Sequence, residues 1–329
     1  MKLTAEQLQS IAKGAVRVEE KNGAVHFSRF TKEQENLYLD RTTPSGKPLW
    51  DKTLATAGVR LEFVTTSQTL AIEVECIPAS SCNCFVHDVF VNEKKIGSFG
   101  ENESEKREFS GSFDLGEGEK VVKIYFPWAA DSAIRSLTLE DGAEIAPIKK
   151  SRKMLVYGDS ITHGYVAINP SASYASRMTD ALDAEAFNKA IGGETFFPEL
   201  AEISDEGEFD LITVAYGTND WSHVTKEVFD ETATAFYRTL SRRHPNAKIF
   251  AFAPIWRADY ETITKVGKFS YMKEVFEKLA KELPNLTVID CFPFVPADSQ
   301  YFADLTLHPN DAGFEFYFNG LWAELQKHL

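Results

Sequence analysis

Basic residues are the scarcer charge in this chain. It has 35 Lys and Arg against 49 Asp and Glu, a net charge of −14, which argues against nucleic-acid or anionic-membrane partners. Apolar runs are short, and none approaches the ~18 residues of a membrane span. The stretch MKLTAEQLQSIAKGAVRVEE has no unbroken apolar core of a secretion leader, so the expected compartment is the cytoplasm. Cysteine is sparse, with only Cys76, Cys82, Cys84 and Cys291. Cys82 and Cys84 sit two apart in a strand-like run and should share a face. A zinc site would recruit Cys76 and His87, but His87 is an odd number of residues from the other two and points away. Reduced, partly buried thiols are the reading, with no metal and no organic cofactor. There is no internal repeat and no low-complexity tract.

What remains is a globular composition, 43% hydrophobic and 26% charged, in 329 residues, a length comfortable for two domains. Thr4 to Gln7 has the form of a capping box opening a short helix over 5–13. From about 24 to 145 the texture is β. Alternation marks strands at 58–76, 84–92, 107–115, 119–126 and 134–141, with turn signals between them. Such a run of short strands predicts an all-β sandwich, jelly-roll-like, over residues 1–148. The short basic stretch APIKKSRK (146–153) marks the change of texture.

Over residues 149–329 strands alternate with helices. Apolar strands are read at 154–158, 184–191, 210–217, 248–254 and 286–292. Helical patterns are read at 171–182, 195–203, 225–243, 266–283 and 311–327. This is the pattern of a three-layer α/β domain with a parallel sheet covered on both faces. Sites in such sheets lie at the carboxyl ends of the strands. Those ends carry Gly158-Asp159-Ser160, Asn188 to Gly193, Gly217-Thr218-Asn219-Asp220-Trp221 and Trp256-Arg257. His308-Pro309-Asn310 lies beyond the fifth strand. Together they hold a hydroxyl, an imidazole, carboxylates, an amide and glycine N–H groups, the inventory of acyl transfer. Taken singly, Ser160 reads as a helix cap and Asn219 as a turn residue.

Ser160 in GDSIT, Gly193 in NKAIGG, Asn219 in GTND and His308 in LHPN resemble the four blocks of the SGNH (GDSL-type) serine hydrolases. The resemblance covers about 150–329 and implies a flavodoxin-like fold. A β-rich domain ahead of it is similar to the layout of carbohydrate esterase family 2. The resemblance implies Ser160 as nucleophile and His308 as its base. It implies an oxyanion hole of the Ser160 and Gly193 N–H groups and the Asn219 amide. The family usually has an Asp three residues before the His. Here that position is Leu305, and Asp304 lies four before. Asp304 is expected to orient His308, with Leu305 and Leu307 anchoring its loop; a main-chain carbonyl is the alternative. Asp159 is expected to be structural, its side chain pointing away from Ser160. Trp221 and Trp256 read either as core residues or as walls for a sugar ring. Arg257 reads as a substrate contact or a surface ion pair.

The expectation is a serine esterase that removes acetyl groups from an acetylated oligosaccharide or other small ester. The alternatives are a lipase or thioesterase of the same type, and a carbohydrate-binding protein with an inactive hydrolase fold.

Overall fold

The structure is a computed structural model and describes all 329 residues. Residues up to 147 build two antiparallel sheets packed face to face. One sheet runs, in spatial order, Ala12–Lys13, Arg60–Thr65, Lys120–Tyr125, His87–Val91 and Lys94–Phe99, and Ile145–Pro147 also pairs with Arg60–Thr65. The other runs Arg17–Lys21, Ala24–Ser28, Ala130–Leu139, Thr69–Pro78 and Glu108–Asp114. Thr69–Pro78 shows why the halves join. Leu70, Ile72, Val74 and Cys76 are buried between the sheets, while Thr69, Ala71 and Glu73 face water. A period of two places one apolar face inward.

From Arg152 the chain changes architecture. Five parallel strands lie in the order Ala184–Asn188, Arg152–Gly158, Leu211–Ala215, Lys248–Ala253 and Leu286–Asp290. In chain order this is 2-1-3-4-5, with a switch point between the first and third strands. Met154 to Gly158 are all buried, as a strand covered on both faces must be. Helices Lys226–Arg243 and Tyr271–Glu282 cover one face; Tyr174–Ala181 and Asp311–Leu325 cover the other. No helix is long and apolar enough to cross a membrane.

Several elements differ from expectation. The hairpin Arg17–Lys21/Ala24–Ser28 turns at Asn22-Gly23, and its first strand precedes the β texture. Lys94–Phe99 had no alternation to reveal it, because most of its residues are at least partly exposed. Ala130 to Ala133 lie in a strand and not in a turn. Cys82 and Cys84 sit in an irregular loop before the strand that begins at His87, so the shared-face argument does not apply to them. His87 is buried, with Nε2 2.8 Å from Ser132 Oγ.

The largest departure is residues 29–57. They leave the sandwich after Ser28, return at Arg60, and pack on the α/β domain. A capping box at Thr31 and Gln34 opens a short helix, Lys32–Leu37. Phe30, Tyr38 and Leu49 are fully buried in the core that lies against one face of the parallel sheet. Each such side chain contributes about 1.5–3 kcal/mol by burial. Arg29 fixes the base of this strap. Its guanidinium is fully buried and donates to the carbonyl oxygens of Ala55 (2.5 Å), Asn188 (2.7 Å), Ala190 (3.1 Å) and Lys52 (2.9 Å). Lys189 answers from the other side, donating to Arg29 O and to Asp205. Because strap and α/β domain share one core, the chain should melt as a unit. Calorimetry is expected to give a single transition with equal calorimetric and van't Hoff enthalpies. Two resolved transitions would show that the strap does not couple the halves.

Candidate active site

The strand Arg152–Gly158 ends in a glycine because the next turn crosses directly over it. A Cβ on Gly158 would lie 2.2 Å from Thr162 Oγ1. Asp159 then caps the four-residue helix Ser160–His163, its Oδ1 accepting the Ile161 N–H at 3.0 Å. Burial pushes the Asp159 carboxyl up to about 6, against the pull of that hydrogen bond. Asp159 touches neither Ser160 Oγ nor His308, so its place is structural. Ser160 stands at the first helical position, where an N–H has no intrahelical acceptor.

Ser160 Oγ lies 2.8 Å from His308 Nε2. His308 Nδ1 lies 2.6 Å from Asp304 Oδ2. In this arrangement Nδ1–H donates to the carboxylate, and Nε2 is free to accept from the serine hydroxyl. The other oxygen of Asp304 accepts the backbone N–H groups of Thr306 (3.0 Å), Leu307 (2.7 Å) and His308 (3.1 Å). Partial burial opposes ionisation of Asp304. The bonds from the His308 ring and from these N–H groups outweigh it and hold the carboxyl well below the usual range. The extra residue between Asp304 and His308 is absorbed by Leu305, which takes a left-handed conformation at φ +64°. Leu305 is 62% exposed, so it does not anchor the loop in apolar surroundings as expected. Leu307, the other expected anchor, does pack on the α/β core, and the backbone bracket around Asp304 holds the rest of the loop.

Asn188 to Thr195 form the second wall. Gly193 has φ +88°, and a Cβ there would meet Thr43 Cγ2 of the strap at 2.8 Å. Its own N–H has no acceptor within the protein. The preceding residue is held at both its N–H and its carbonyl. Gly192 N–H donates to His163 Nδ1 at 3.2 Å, and Gly192 O accepts from Lys52 Nζ at 2.5 Å. His163 is buried, and burial depresses its basicity far enough to keep the ring neutral. Its Nε2–H donates to Trp128 O. The Asn219 amide donates one N–H to Glu194 O at 2.9 Å, and Glu194 is itself gripped by Arg41 of the strap at 2.7–3.0 Å.

Ser160, Gly193, Asn219 and His308 therefore line one cleft of about 410 Å³, and Asp304 stands behind His308. Two further walls come from the N-terminal half: the strap around Thr43, Lys47 and Lys52, and the sandwich loop around Ser81. Tyr165 packs its ring on His308, with centroids 4.9 Å apart, and its hydroxyl meets Ser81 Oγ at 2.5 Å.

The two tryptophans do not line the cleft. Trp221 is 1% exposed, packs edge-on against Phe269 and donates Nε1–H to Gly267 O. Trp256 packs against Phe302 and Tyr260. The substrate-wall reading of both is corrected to core, because each ring is enclosed by neighbours from elsewhere in the chain. Arg257 is likewise neither a substrate contact nor a surface ion pair alone. It lies over the Trp221 ring and donates to Thr218 O, Thr218 Oγ1 and Ser222 Oγ. It thereby braces the helix Thr218–His223 that carries Asn219. His163, Tyr165, Lys52 and Thr43 escaped the sequence reading. His163 was within reach of it, three residues after Ser160; the strap residues carried no local signal.

Residues 156–316 match the GDSL-like lipase/acylhydrolase family. This part of the chain belongs to that family. The chain matches no curated protein by sequence. Solved structures share the whole two-part layout. The salicylyl-acyltransferase SsfX3 from a tetracycline biosynthetic pathway superimposes with a TM-score of 0.79 at 21% identity, over 96% of this chain and 94% of that one. A family two carbohydrate esterase from Cellvibrio japonicus superimposes with a TM-score of 0.66 at 19% identity, over 99% and 97%. An acetyl xylan esterase, Est2A, from Butyrivibrio proteoclasticus gives 0.60 at 18%, over 83% and 91%. At these identities the likeness is one of fold. The GDSL-type hydrolase domain thus sits behind an antiparallel sandwich, as in the carbohydrate esterases of family two.

The left-handed residue of the Asp304–His308 loop gives a test. A β-branched side chain tolerates that region worst, whereas Asn enters it readily. Leu305→Val should lower kcat about tenfold by unseating Asp304, and Leu305→Asn should stay within about twofold of wild type. Equal activity in the two variants would mean that the loop does not depend on this conformation.

Proposed function

We propose that this GDSL-type hydrolase is a serine esterase that removes short acyl groups, acetyl above all, from carbohydrate esters. The observation that supports it best is the unbroken chain of contacts from Asp304 through His308 to Ser160 at the floor of an open cleft. In this reading Ser160 Oγ attacks the ester carbonyl carbon while its proton passes to His308 Nε2. The negative charge on the carbonyl oxygen is met by the Ser160 N–H, the Gly193 N–H and the free N–H of Asn219. The tetrahedral intermediate collapses, the C–O bond to the sugar breaks, and His308 returns the proton to the leaving oxygen. Water then attacks the acyl-serine by the same route and frees the acid. Asp304 holds the ring in the required tautomer and stabilises the imidazolium.

The acyl and sugar preferences rest on the character of the cleft. Its lining is mostly polar, with Thr43, Ser45, Lys47, Ser81 and His223 around the mouth and Leu307 among the few apolar side chains. That suits a hydrated sugar and a small acyl group better than a long chain, which would need ~0.8 kcal/mol of apolar burial per methylene. The similar folds of two esterases named for carbohydrate substrates point the same way. A carbohydrate-binding protein with a dead site has no support in a site whose nucleophile, base and orienting carboxylate are all in register. Transfer of the acyl group to an alcohol other than water is a second reading, favoured by the similar fold of the salicylyl-acyltransferase. Added acceptor alcohols, with product analysis, separate it from hydrolysis.

The reading is tested first on p-nitrophenyl acetate. Ser160→Ala and His308→Ala should each lower kcat by roughly 10⁴–10⁶. Asn219→Ala should cost about 10²–10³, since two backbone donors remain. Asp304→Asn should cost about 10²–10⁴, because an amide favours the wrong tautomer. A folded Ser160→Ala protein with near-wild-type turnover would remove the nucleophile. Loss of less than threefold in Asp304→Asn would leave a Ser160–His308 dyad.

The second test is acyl length. Across acetyl, butyryl and octanoyl esters, kcat/KM should fall at each step, by about tenfold or more overall. A maximum at octanoyl would make the protein a lipase or thioesterase instead.

A further inference from the structure

We propose that Lys52, supplied by the N-terminal strap, is an additional electrostatic element of the oxyanion site. It would place a positive charge on the carbonyl side of the Gly192–Gly193 peptide, polarising that peptide so that its Gly193 N–H is a stronger donor. This rests on the esterase reading above and deepens it. Lys52 Nζ lines the cleft together with Ser160, Gly193 and Asn219. A Cβ placed on Gly192 would lie 3.6 Å from Ser160 Cβ and 3.7 Å from Lys52 Nζ, so the two side chains flank the same small space. A Cβ on Gly193 would also lie 3.7 Å from Lys52 Nζ. Lys52 is half-buried, and no carboxylate lies within ion-pair distance of its ammonium; Glu194 is taken by Arg41 and Asp205 by Lys189. The ammonium's one hydrogen-bond partner is Gly192 O, at 2.5 Å. That bond holds the glycine turn and leaves two of the three ammonium N–H groups without an acceptor in the protein.

A half-buried cation with no counter-ion costs folding energy. In this cleft its natural complement is a negative charge that exists only during the reaction, which is the oxygen of the tetrahedral intermediate. The groups around it do not cancel it. Glu194 from the second wall is bonded to the Arg41 fork and attracts Lys52 only from outside ion-pair distance. Lys47 of the strap adds to the positive field, Asp51 and His223 share the cleft lining, and Cys82 faces it from the sandwich loop without an ion pair to Lys52. Burial, followed by the repulsion of Lys47, lowers the basicity of Lys52, with Glu194 and then Cys82 opposing. Its charge is therefore lost, as pH rises, earlier than that of an ordinary lysine.

Two substitutions separate charge from structure. Lys52→Gln retains an N–H donor for Gly192 O without the charge. Lys52→Arg retains the charge. On p-nitrophenyl acetate, Lys52→Gln should lower kcat by about 10–100-fold with KM within about threefold, while Lys52→Arg keeps at least a third of wild-type kcat. The alkaline limb of the kcat profile should lie at higher pH in Lys52→Arg than in wild type. Thermal melting of each variant verifies that it is folded. Should Lys52→Gln misfold, the Arg variant's alkaline limb decides alone, and an unshifted limb overturns the proposal. Wild-type kcat in Lys52→Gln overturns it, since Lys52 would then only hold the loop. A loss in Lys52→Gln confined to KM for esters bearing a carboxylate also overturns it, in favour of a substrate-charge contact. A wild-type protein that cleaves no ester, or whose turnover survives Ser160→Ala, defeats the esterase reading itself and is not confused with these outcomes.

Discussion

The Arg29 guanidinium, buried and bonded to four carbonyl oxygens, is the interaction on which the site depends. Two of those carbonyls, Asn188 and Ala190, belong to the loop that leads to Gly193; two, Lys52 and Ala55, belong to the strap. One side chain from the end of the sandwich thus fixes the distance between the two walls of the cleft. An unsatisfied buried carbonyl costs about 1–3 kcal/mol, so four of them sharing one cation make a joint that is hard to relax partway. Lys189 and Arg41 extend the joint to either side of the same loop. Placement of the Gly193 N–H is therefore a property of both halves of the chain. The hydrolase fold by itself supplies the strand ends but not the surface that holds the second one in position.

This explains which parts could be read from residues alone. Ser160, Gly193 and Asn219 each follow an apolar run and His308 lies beyond the fifth strand, all four inside short motifs whose meaning is local. The parallel-sheet rule brought them together as candidates, and the resemblance to the four SGNH blocks gave them roles. The strap carries neither a period of two nor a sustained period of 3.6, because it is a covering segment shaped by the surface beneath it. Its lysines reach the cleft across more than a hundred residues of sequence, a distance no motif spans. The tryptophans failed for the converse reason. Trp221 and Trp256 follow strand ends just as the polar residues do, but whether a ring faces solvent or core is decided by Phe269, Phe302 and Tyr260, which arrive from elsewhere.

Asp304 is an intermediate case. Its distance from His308 by one extra residue was visible, and a loop able to fold back was a reasonable inference. The device that closes the loop was not visible. A carboxylate that accepts three successive backbone N–H groups and one imidazole N–H needs a left-handed residue next to it, and nothing in the letter Leu at 305 announces that conformation. The same bracket keeps the carboxylate ionised, so one local fold sets both the direction of the histidine ring and the charge behind it.

The strap has a kinetic corollary. Enzymes whose sites lie between two units often close around the substrate and open to release product. Here the units are joined through the floor of the cleft, and a hinge would have to break the four bonds of Arg29 and expose Phe30, Tyr38 and Leu49. Those contacts oppose any widening of the slot. Discrimination between ligands then falls to the shape of a mouth that resists widening.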